Sequence, residues 1–397
     1  MPKTVLVINS GSSSIKYQLV DPDLGHAMAS GLVERIGEDT AHVHHRYSLH
    51  EVDLDQPIPS HAEALRIVLD LFDEVGPQLE EAHIVAVGHR IVQGGRYFSG
   101  PALIDERVRG LIDELSTLAP LHNPSALKGI MVAQDLLPDI PQVAVFDTAF
   151  FQDLPAASAL YAIDREVAEK YSIRRYGAHG TSHQYVSRRV SEILGGSDLK
   201  QIVLHLGNGA SASAIIGDKA IDTSMGLTPL EGLVMGTRTG DIDPAVVFHL
   251  QRVGGMSADD VDQLMNRQSG LKGLAGDNDM RAVREMSKSG EAGSRQRARE
   301  ALDVYVNRLV KYVGAYTAEM GGVNVITFTA GIGENDAKLR AEVCARLEPF
   351  GVELDPDANS QRSSDPITIS KRSSKVRVMV VPTNEELAIA KQTLTLV

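Results

Sequence analysis

Cysteine is almost missing from the 397-residue chain: Cys344 stands alone. One thiol excludes an internal disulfide and a cysteine-ligated metal cluster. Its neighbours read as helix, so a small buried apolar residue is its expected role, and the scarcity suits a reducing, cytoplasmic setting. Positive charge is also in deficit. Lys and Arg number 39 against 52 Asp and Glu, a net charge of −13, which argues against coating nucleic acid or an anionic membrane. No apolar run exceeds strand length, Val376 to Val381 being typical, so no membrane span is expected. Met1 to Val20 holds no basic segment followed by an apolar core and cleavage site, and the expectation is a soluble, unexported protein. Neither nucleic acid nor a membrane is an expected partner.

Familiar nucleotide and catalytic signatures are absent too. There is no G-x-x-x-x-G-K-[ST], no G-x-G-x-x-G after a strand, no H-R-D-x-x-x-x-N and no G-x-S-x-G. What is present is ordinary globular material, 43% hydrophobic and 23% charged, enough for a real core. At this length a split into domains is expected, because single cores stop growing near ~250–300 residues.

The chain opens as a hairpin. Thr4 to Ile8 and Ile15 to Val20 read as strands around the turn Asn9-Ser10-Gly11-Ser12-Ser13-Ser14. Strand-like text follows over Ala27 to Ile36 and Ala41 to Leu54. The period then changes, with Leu65, Val68, Leu69 and Phe72 at helical spacing behind the candidate cap Ser60. Ile84 to Val87 and Gln142 to Phe146 read as buried strands, and Asn123-Pro124 opens a helix. After Phe151 the pattern restarts. Helices are expected at Arg165 to Tyr171 and Thr181 to Leu194, then strands at Ile202 to Leu206 and Ala210 to Ile216 around Gly207-Asn208-Gly209. A helix from Arg295 to Glu319, strands at Val323 to Thr329 and Val376 to Val381, and a helix from Asn384 to Leu394 complete the reading. The second hairpin echoes the first at roughly 200 residues' distance, which implies two related αβ halves with a boundary near residue 150. The mixture throughout reads as α/β.

Three glycine-rich turns follow apolar strands: Asn9 to Ser14, Gly207 to Ala210, and Gly331 to Asn335. One alone would be a tight loop. Three in a doubled architecture point to nucleotide phosphates, because successive amides form anion-binding nests. Ser12 adds a hydroxyl and Lys16 a cation, and the third turn is expected to open a helix whose N-terminus favours phosphate. Arg90, after Gly88-His89, and Arg238, within Gly236-Thr237-Arg238-Thr239-Gly240, sit in glycine-flanked settings suited to bidentate recognition of carboxylate or phosphate. His122 and His179 occupy comparable places. The run His179-Gly180-Thr181-Ser182-His183 is not read as the helical pair plus carboxylate of a typical zinc site. Asp147 and Glu385 each suit a helix cap or a Mg2+ ligand. Asp277 to Arg281 suits a helix cap as well as a functional role.

The runs VINSGSSSIK (Val7 to Lys16), GAHGTSH (Gly177 to His183), HLGNG (His205 to Gly209), GTRTGD (Gly236 to Asp241), GIGEN (Gly331 to Asn335) and TNEE (Thr383 to Glu386) together resemble the acetate kinase family, in its order and over almost the whole chain. The resemblance implies ATP:acetate phosphotransfer giving acetyl phosphate and ADP, and a homodimer. It implies an α/β fold of two related RNase H-like domains around a central cleft, as in sugar kinases, the Hsp70 ATPase domain and actin. Residues 1–150 with 384–397 would form the acyl side and carry the first phosphate turn. Residues 151–383 would carry the adenosine pocket and second phosphate loop. Ser12, Lys16, His205, Leu206, Gly207, Asn208 and Gly209 would meet the ATP phosphates. Asp279, Met280, Arg281, Gly331, Ile332, Gly333, Glu334 and Asn335 would hold the adenosine. Arg90 would bind the acetate carboxylate beside His122, and Val92, Leu121 and Pro229 would wall its methyl group. Asp147, His179 and Arg238 would be catalytic, and Asn9 and Glu385 would hold Mg2+, with Mn2+ as the alternative ion. Family members often carry Phe where this chain has Ala178. The expectation is an acyl pocket left open enough for propionate to be used beside the preferred acetate. A sugar kinase of the same fold, or an ATPase without a small substrate, is the rival reading.

Overall fold

The computed structural model describes residues 3–79 and 81–397. The chain forms two compact units, Met1–Gln152 with Asn384–Val397, and Asp153–Thr383.

Among the described residues the first unit carries an eight-stranded sheet: β1 (Thr4–Ser10), β2 (Ser14–Asp21), β3 (His26–Glu34), β4 (Ala41–Tyr47), β5 (His50–Gln56), β6 (Ile84–Ile91), β7 (Ala102–Leu103) and β8 (Gln142–Phe146). Their order is β5-β4-β3-β2-β1-β6-β8-β7. β1 through β5 form an antiparallel meander, whereas β6 pairs parallel to both β1 and β8. The apolar text of β1 and β8 follows from that position. A parallel strand covered on both faces must be apolar throughout, and all five residues of β8 are buried. The helix His61–Val75, capped by Ser60 accepting from the Glu63 amide, lays Leu65, Val68 and Phe72 into one core with Tyr17, Val33 and Val43. The helix Asn123–Leu136 begins with Pro at its first turn. The helix Glu385–Thr393 also belongs to this unit and packs close to β6 at Gly88. A Cβ at Gly88 would lie 2.5 Å from Thr393 Oγ1 and 2.9 Å from Ile389 Cγ2.

The second unit repeats the plan. Its strands are β9 (Lys200–Leu206), β10 (Ala210–Ile216), β11 (Lys219–Thr223), β12 (Val325–Thr329), β13 (Ile367–Thr368) and β14 (Arg377–Val380), in the order β11-β10-β9-β12-β14-β13. β9, β10 and β11 are antiparallel; β12 lies parallel to β9 and β14; β13 closes the edge antiparallel. Each pairing matches one around β1, β2, β3, β6, β8 and β7, so the echo between the two hairpins is a duplicated sheet. The 28-residue helix Ala292–Glu319 buries Leu302, Tyr305, Leu309 and Tyr316 in this unit's core.

Two readings from sequence change. Ala41 to Leu54 is two strands broken at Ser48 and Leu49, with Ser48 at φ 54°. Gly331 to Asn335 is not a turn: it lies within the short helix Ala330–Asn335, which a second helix, Ala337–Arg346, follows directly. The Glu334 carboxylate accepts from the Ala330 amide at 2.8 Å and from the Thr383 amide at 3.2 Å. The first amide of that helix is therefore already taken by an internal anion, which removes it as a phosphate donor.

Candidate active site

In the first unit the sheet register brings candidate residues to strand ends. Asn9 on β1 faces Lys16 on β2 across the hairpin, so the two side chains share one face. The turn between them is closed by the Gly11 amide donating to Ser14 O at 2.8 Å, and His61 Nε2 donates to Gly11 O at 2.8 Å. Ser12 and Ser13 are left exposed at the tip. Lys16 is not a lone cation beside this turn: its ammonium is paired with Glu386.

Arg90 and Asp147 stand one past the other at the ends of the neighbouring parallel strands β6 and β8. Asp147 is 1% exposed. It accepts from Arg90 Nε at 3.1 and 3.3 Å and from Nη2 at 2.8 Å. Glu385, at the start of the helix Glu385–Thr393, lies 3.4 Å from the same Nη2. Burial works against the Arg90 charge, but Asp147 and Glu385 outweigh it and raise the pKa above the ordinary arginine value. Asp147 is thus neither a helix cap nor a free carboxylate; it holds a guanidinium in a forked, charge-assisted geometry. The loops nearby are stitched together. Asn123 exchanges hydrogen bonds with the Gln93 backbone at 3.0 and 3.1 Å, and the Gly94 amide donates to Thr148 Oγ1 at 2.9 Å. Val92 and His122 are half-buried beside them, and Leu121 is 47% exposed.

In the second unit the phosphate-loop candidates form a histidine and serine cluster. His179 precedes the helix Gly180–Leu194 with left-handed backbone, φ 57° and ψ 23°, a conformation uncommon for a residue with a side chain. Its ring stacks on that of His205, centroids 4.3 Å apart. His205 faces Ser211 across the β9–β10 hairpin, and its Nδ1 lies 2.8 Å from Ser182 Oγ. Arg238 approaches from the loop after Gly236. Gly236 has to be glycine, because a Cβ there would fall 1.9 Å from Asn208 Oδ1, and its amide donates to Asn208 O at 2.9 Å. Arg238 Nη1 donates to Pro229 O at 3.3 Å, and among the described residues no carboxylate pairs with it. Burial lowers its pKa, yet a guanidinium stays charged. A Cβ placed on Gly209 would be 3.6 Å from His179 Nε2 and 3.8 Å from Arg238 Nη1, so the loop and both side chains converge.

The adenosine-pocket candidates divide between two short helices. Asp279 caps the helix Met280–Met286 by accepting from the Arg281 amide at 2.7 Å, and it pairs with the Arg281 guanidinium; these bonds hold its carboxyl at about 2. Met280 is buried. Gly331, Ile332, Gly333, Glu334 and Asn335 lie in Ala330–Asn335, whose last carbonyls are held by Arg340. Its Nη1 donates to Gly333 O at 2.9 Å and Glu334 O at 2.8 Å. Arg340 is 1% exposed, and sequence reasoning passed over it, since nothing around residue 340 marks a buried cation. Ala178 is 2% exposed and belongs to the apolar cluster containing Leu206, Met225 and Met235.

Comparison with known proteins agrees along the full chain. The family model described as the acetokinase family matches residues 4–391. The acetate kinase of Leifsonia xyli subsp. xyli is 54% identical over 392 residues, covering 98% of each chain. That of Streptomyces avermitilis is 52% identical over 400 residues, covering 100% of this chain and 98% of its own. A crystal structure of Porphyromonas gingivalis acetate kinase superposes with a TM-score of 0.93 at 43% identity over 99% of both chains. A propionate kinase from Francisella tularensis gives 0.94 at 40% identity over 100% of both. With a family match across nearly every residue and relatives above half identity, the chain belongs to the acetokinase family.

Proposed function

We propose that the protein is an ATP:acetate phosphotransferase, forming acetyl phosphate and ADP reversibly in the cytosol. Family membership supports the reaction class, and Arg90 carries the choice of acceptor. A guanidinium held by Asp147 through Nε and Nη2, yet still 21% exposed, suits recognition of a small carboxylate. A sugar acceptor needs a carboxylate base to activate its hydroxyl, and Asp147 is already engaged with Arg90.

In the forward direction a carboxylate oxygen bonds to the γ-phosphorus as the bond from phosphorus to the ADP oxygen breaks. The acid is ionised at neutral pH, so no proton has to leave the nucleophile. The demand is to hold two anions together and stabilise the charge of the transferring group. Arg90 orients the acid, with Val92, Leu121, His122 and Pro229 around it. Asp147 holds Arg90 in place. Arg238 and His179 face the phosphoryl group, Ser12, Lys16 and the loop His205 to Gly209 bind phosphates, and Asp279 to Arg281 with Gly331 to Asn335 receive the adenosine. The Asn9 amide and the Glu385 carboxylate are hard oxygen donors in the number Mg2+ takes when phosphate and water complete its shell. Bound there, the ion would neutralise charge on the phosphates.

A second copy of the chain is the proposed partner. The helix Ala245–Gly254 has no buried residue although it is largely apolar, with Phe248 and Val253 more than half exposed. Hydroxylamine trapping with MgATP and acetate, propionate, butyrate, glycerol or a hexose tests the function. Acyl hydroxamate from acetate is the expected product. ADP release with a sugar, or release indifferent to any acid, would refute the proposal.

A further inference from the structure

We infer that His183, Ser211 and Ser213 form a hydrogen-bond relay that sets which ring nitrogens of His179 carry protons, making Ser211 and His183 positioning residues for phosphoryl transfer. The inference rests on the reading of His179 given above. His179 and His183 stand four residues apart, the spacing that places two side chains on one face of a helical turn. Ser211 and Ser213 stand two apart on β10, one face of a strand. The fold uses this doubled spacing to align the four groups. Ser213 Oγ lies 2.7 Å from His183 Nδ1, His183 Nε2 lies 2.7 Å from Ser211 Oγ, and Ser211 Oγ lies 2.9 Å from His179 Nδ1.

Ser211 has one hydroxyl proton and two imidazole nitrogens on it, so it donates to one and accepts from the other. His183 is fully buried. Burial, and then the neighbouring His205, push its pKa well below the ordinary histidine value, so it is neutral, with one donor and one acceptor nitrogen. Two coherent arrangements result. In one, Ser213 donates to His183 Nδ1, His183 Nε2–H donates to Ser211, and Ser211 donates to His179 Nδ1, leaving the His179 proton on Nε2. In the other every bond reverses, and His179 Nδ1–H donates to Ser211. This second arrangement alone accepts a protonated His179, whose Nε2 lies on the side of Gly209 and Arg238. Among the described residues, titratable or charged groups placed against His179 include His205, stacked on it, and Arg238 across Gly209, with His183 one turn along the helix. Arg238 is a permanent cation, so a neutral His183 avoids adding a further positive charge. The left-handed backbone of His179 fits this account, since such strain persists where the surroundings hold it.

The test compares wild type with Ser211→Ala, Ser211→Thr, Ser213→Ala and His179→Ala, using kcat, KM and pH profiles of acyl hydroxamate formation. A histidine-labelled full-length chain reports ring-nitrogen shifts alongside. Ser211→Ala removes the hydroxyl that both imidazoles meet. It should lower kcat by roughly tenfold to a hundredfold, move the pH profile, and alter the His179 Nδ1 resonance, with Ser211→Thr restoring much of the loss. The same change made in His179→Ala should cost little more, because the relay would have nothing left to orient. An equal fold-loss with and without His179 would overturn the inference, as would a folded Ser211→Ala with unchanged kcat, pH profile and His179 shifts. If Ser211→Ala does not fold, Ser213→Ala and the wild-type spectrum decide; an imidazolium at His183 near pH 6 overturns it. Failure of the wild type to use acetate would sink the proposed function instead, and the nitrogen shifts would still judge the relay.

Discussion

Replacing Asp147 by Asn separates an orienting carboxylate from a general base. Asp147 is 1% exposed and binds Arg90 at 2.8 Å through Nη2 and at 3.1 Å through Nε. The amide keeps one acceptor oxygen, loses the negative charge, and turns an NH2 toward a guanidinium. A hydrogen bond to a charged group contributes about 1.5–3 kcal/mol. Its loss leaves Arg90 with Glu385 at 3.4 Å as its remaining carboxylate. Since about 1.4 kcal/mol is tenfold, kcat/KM for acetate should fall roughly tenfold to a hundredfold, mostly through a raised acetate KM. The ATP KM should change little, because Asp147 touches the residue that holds the acid. Arg90 stays cationic across the working range, its charge being favoured by Asp147 and Glu385 despite burial, so neither enzyme should show a basic limb from this site. Hydroxamate formation from pH 5.5 to 9, with thermal unfolding as a control for folding, measures all of this. A collapse of kcat with unchanged acetate KM, together with loss of an acidic limb present in the wild type, would show that Asp147 accepts a proton and would refute the orienting role.

Gly88→Ala should push the helix Glu385–Thr393 off β6, since its Cβ would lie 2.5 Å from Thr393 Oγ1; urea unfolding should report about 1–3 kcal/mol of destabilisation, partly recovered by adding Thr393→Ala. Unchanged stability would mean that the helix is not seated there. His89 is buried against Gln142, and burial lowers its pKa from 6.5 to about 4. The unfolded chain takes this proton near 6.5 and the folded chain near 4, so the site's stabilisation is complete above 6.5 and is lost as pH falls through that window, at most about 3 kcal/mol. His89→Gln should flatten that part of the stability profile, and an identical acid slope would contradict the assignment. For Ala178, Phe in the apolar cluster should cost about 1–3 kcal/mol by overpacking, seen as a lower Tm. Because neighbours already fill the space at Ala178, acetate should be preferred over propionate by more than about tenfold in kcat/KM; a ratio within about tenfold would refute that reading.

What the sequence disclosed follows the range of each interaction. The two hairpins were legible because strand text, glycine turn and return strand are local signals, and the buried runs of β8 and β12 declare a parallel, doubly covered position. The arginine at Arg90 was visible as a residue but not as a pair. Its partner lies 57 positions away and reaches it through the parallel register of β6 and β8, in which Arg90 faces Val145. Lys16 looked like a cation waiting for phosphate because Glu386 is 370 residues further along. The misread at Gly331 to Asn335 has a different cause. Two glycines in five residues argue for a turn on propensity alone, but Glu334 reaches back to the Ala330 amide and Arg340 closes the other end. Side chains at both termini thus outweigh glycine's cost of about 1 kcal/mol per helical residue. The histidines combine both cases. Their four-residue spacing could be counted from the sequence, and it would equally serve a metal or a serine pair. The choice belongs to β10, which the β9–β10 register sets beneath the first turn of the helix with Ser211 opposite His205. A spacing therefore narrows the chemistry of a site, and the strand that arrives beneath it decides which chemistry is realised.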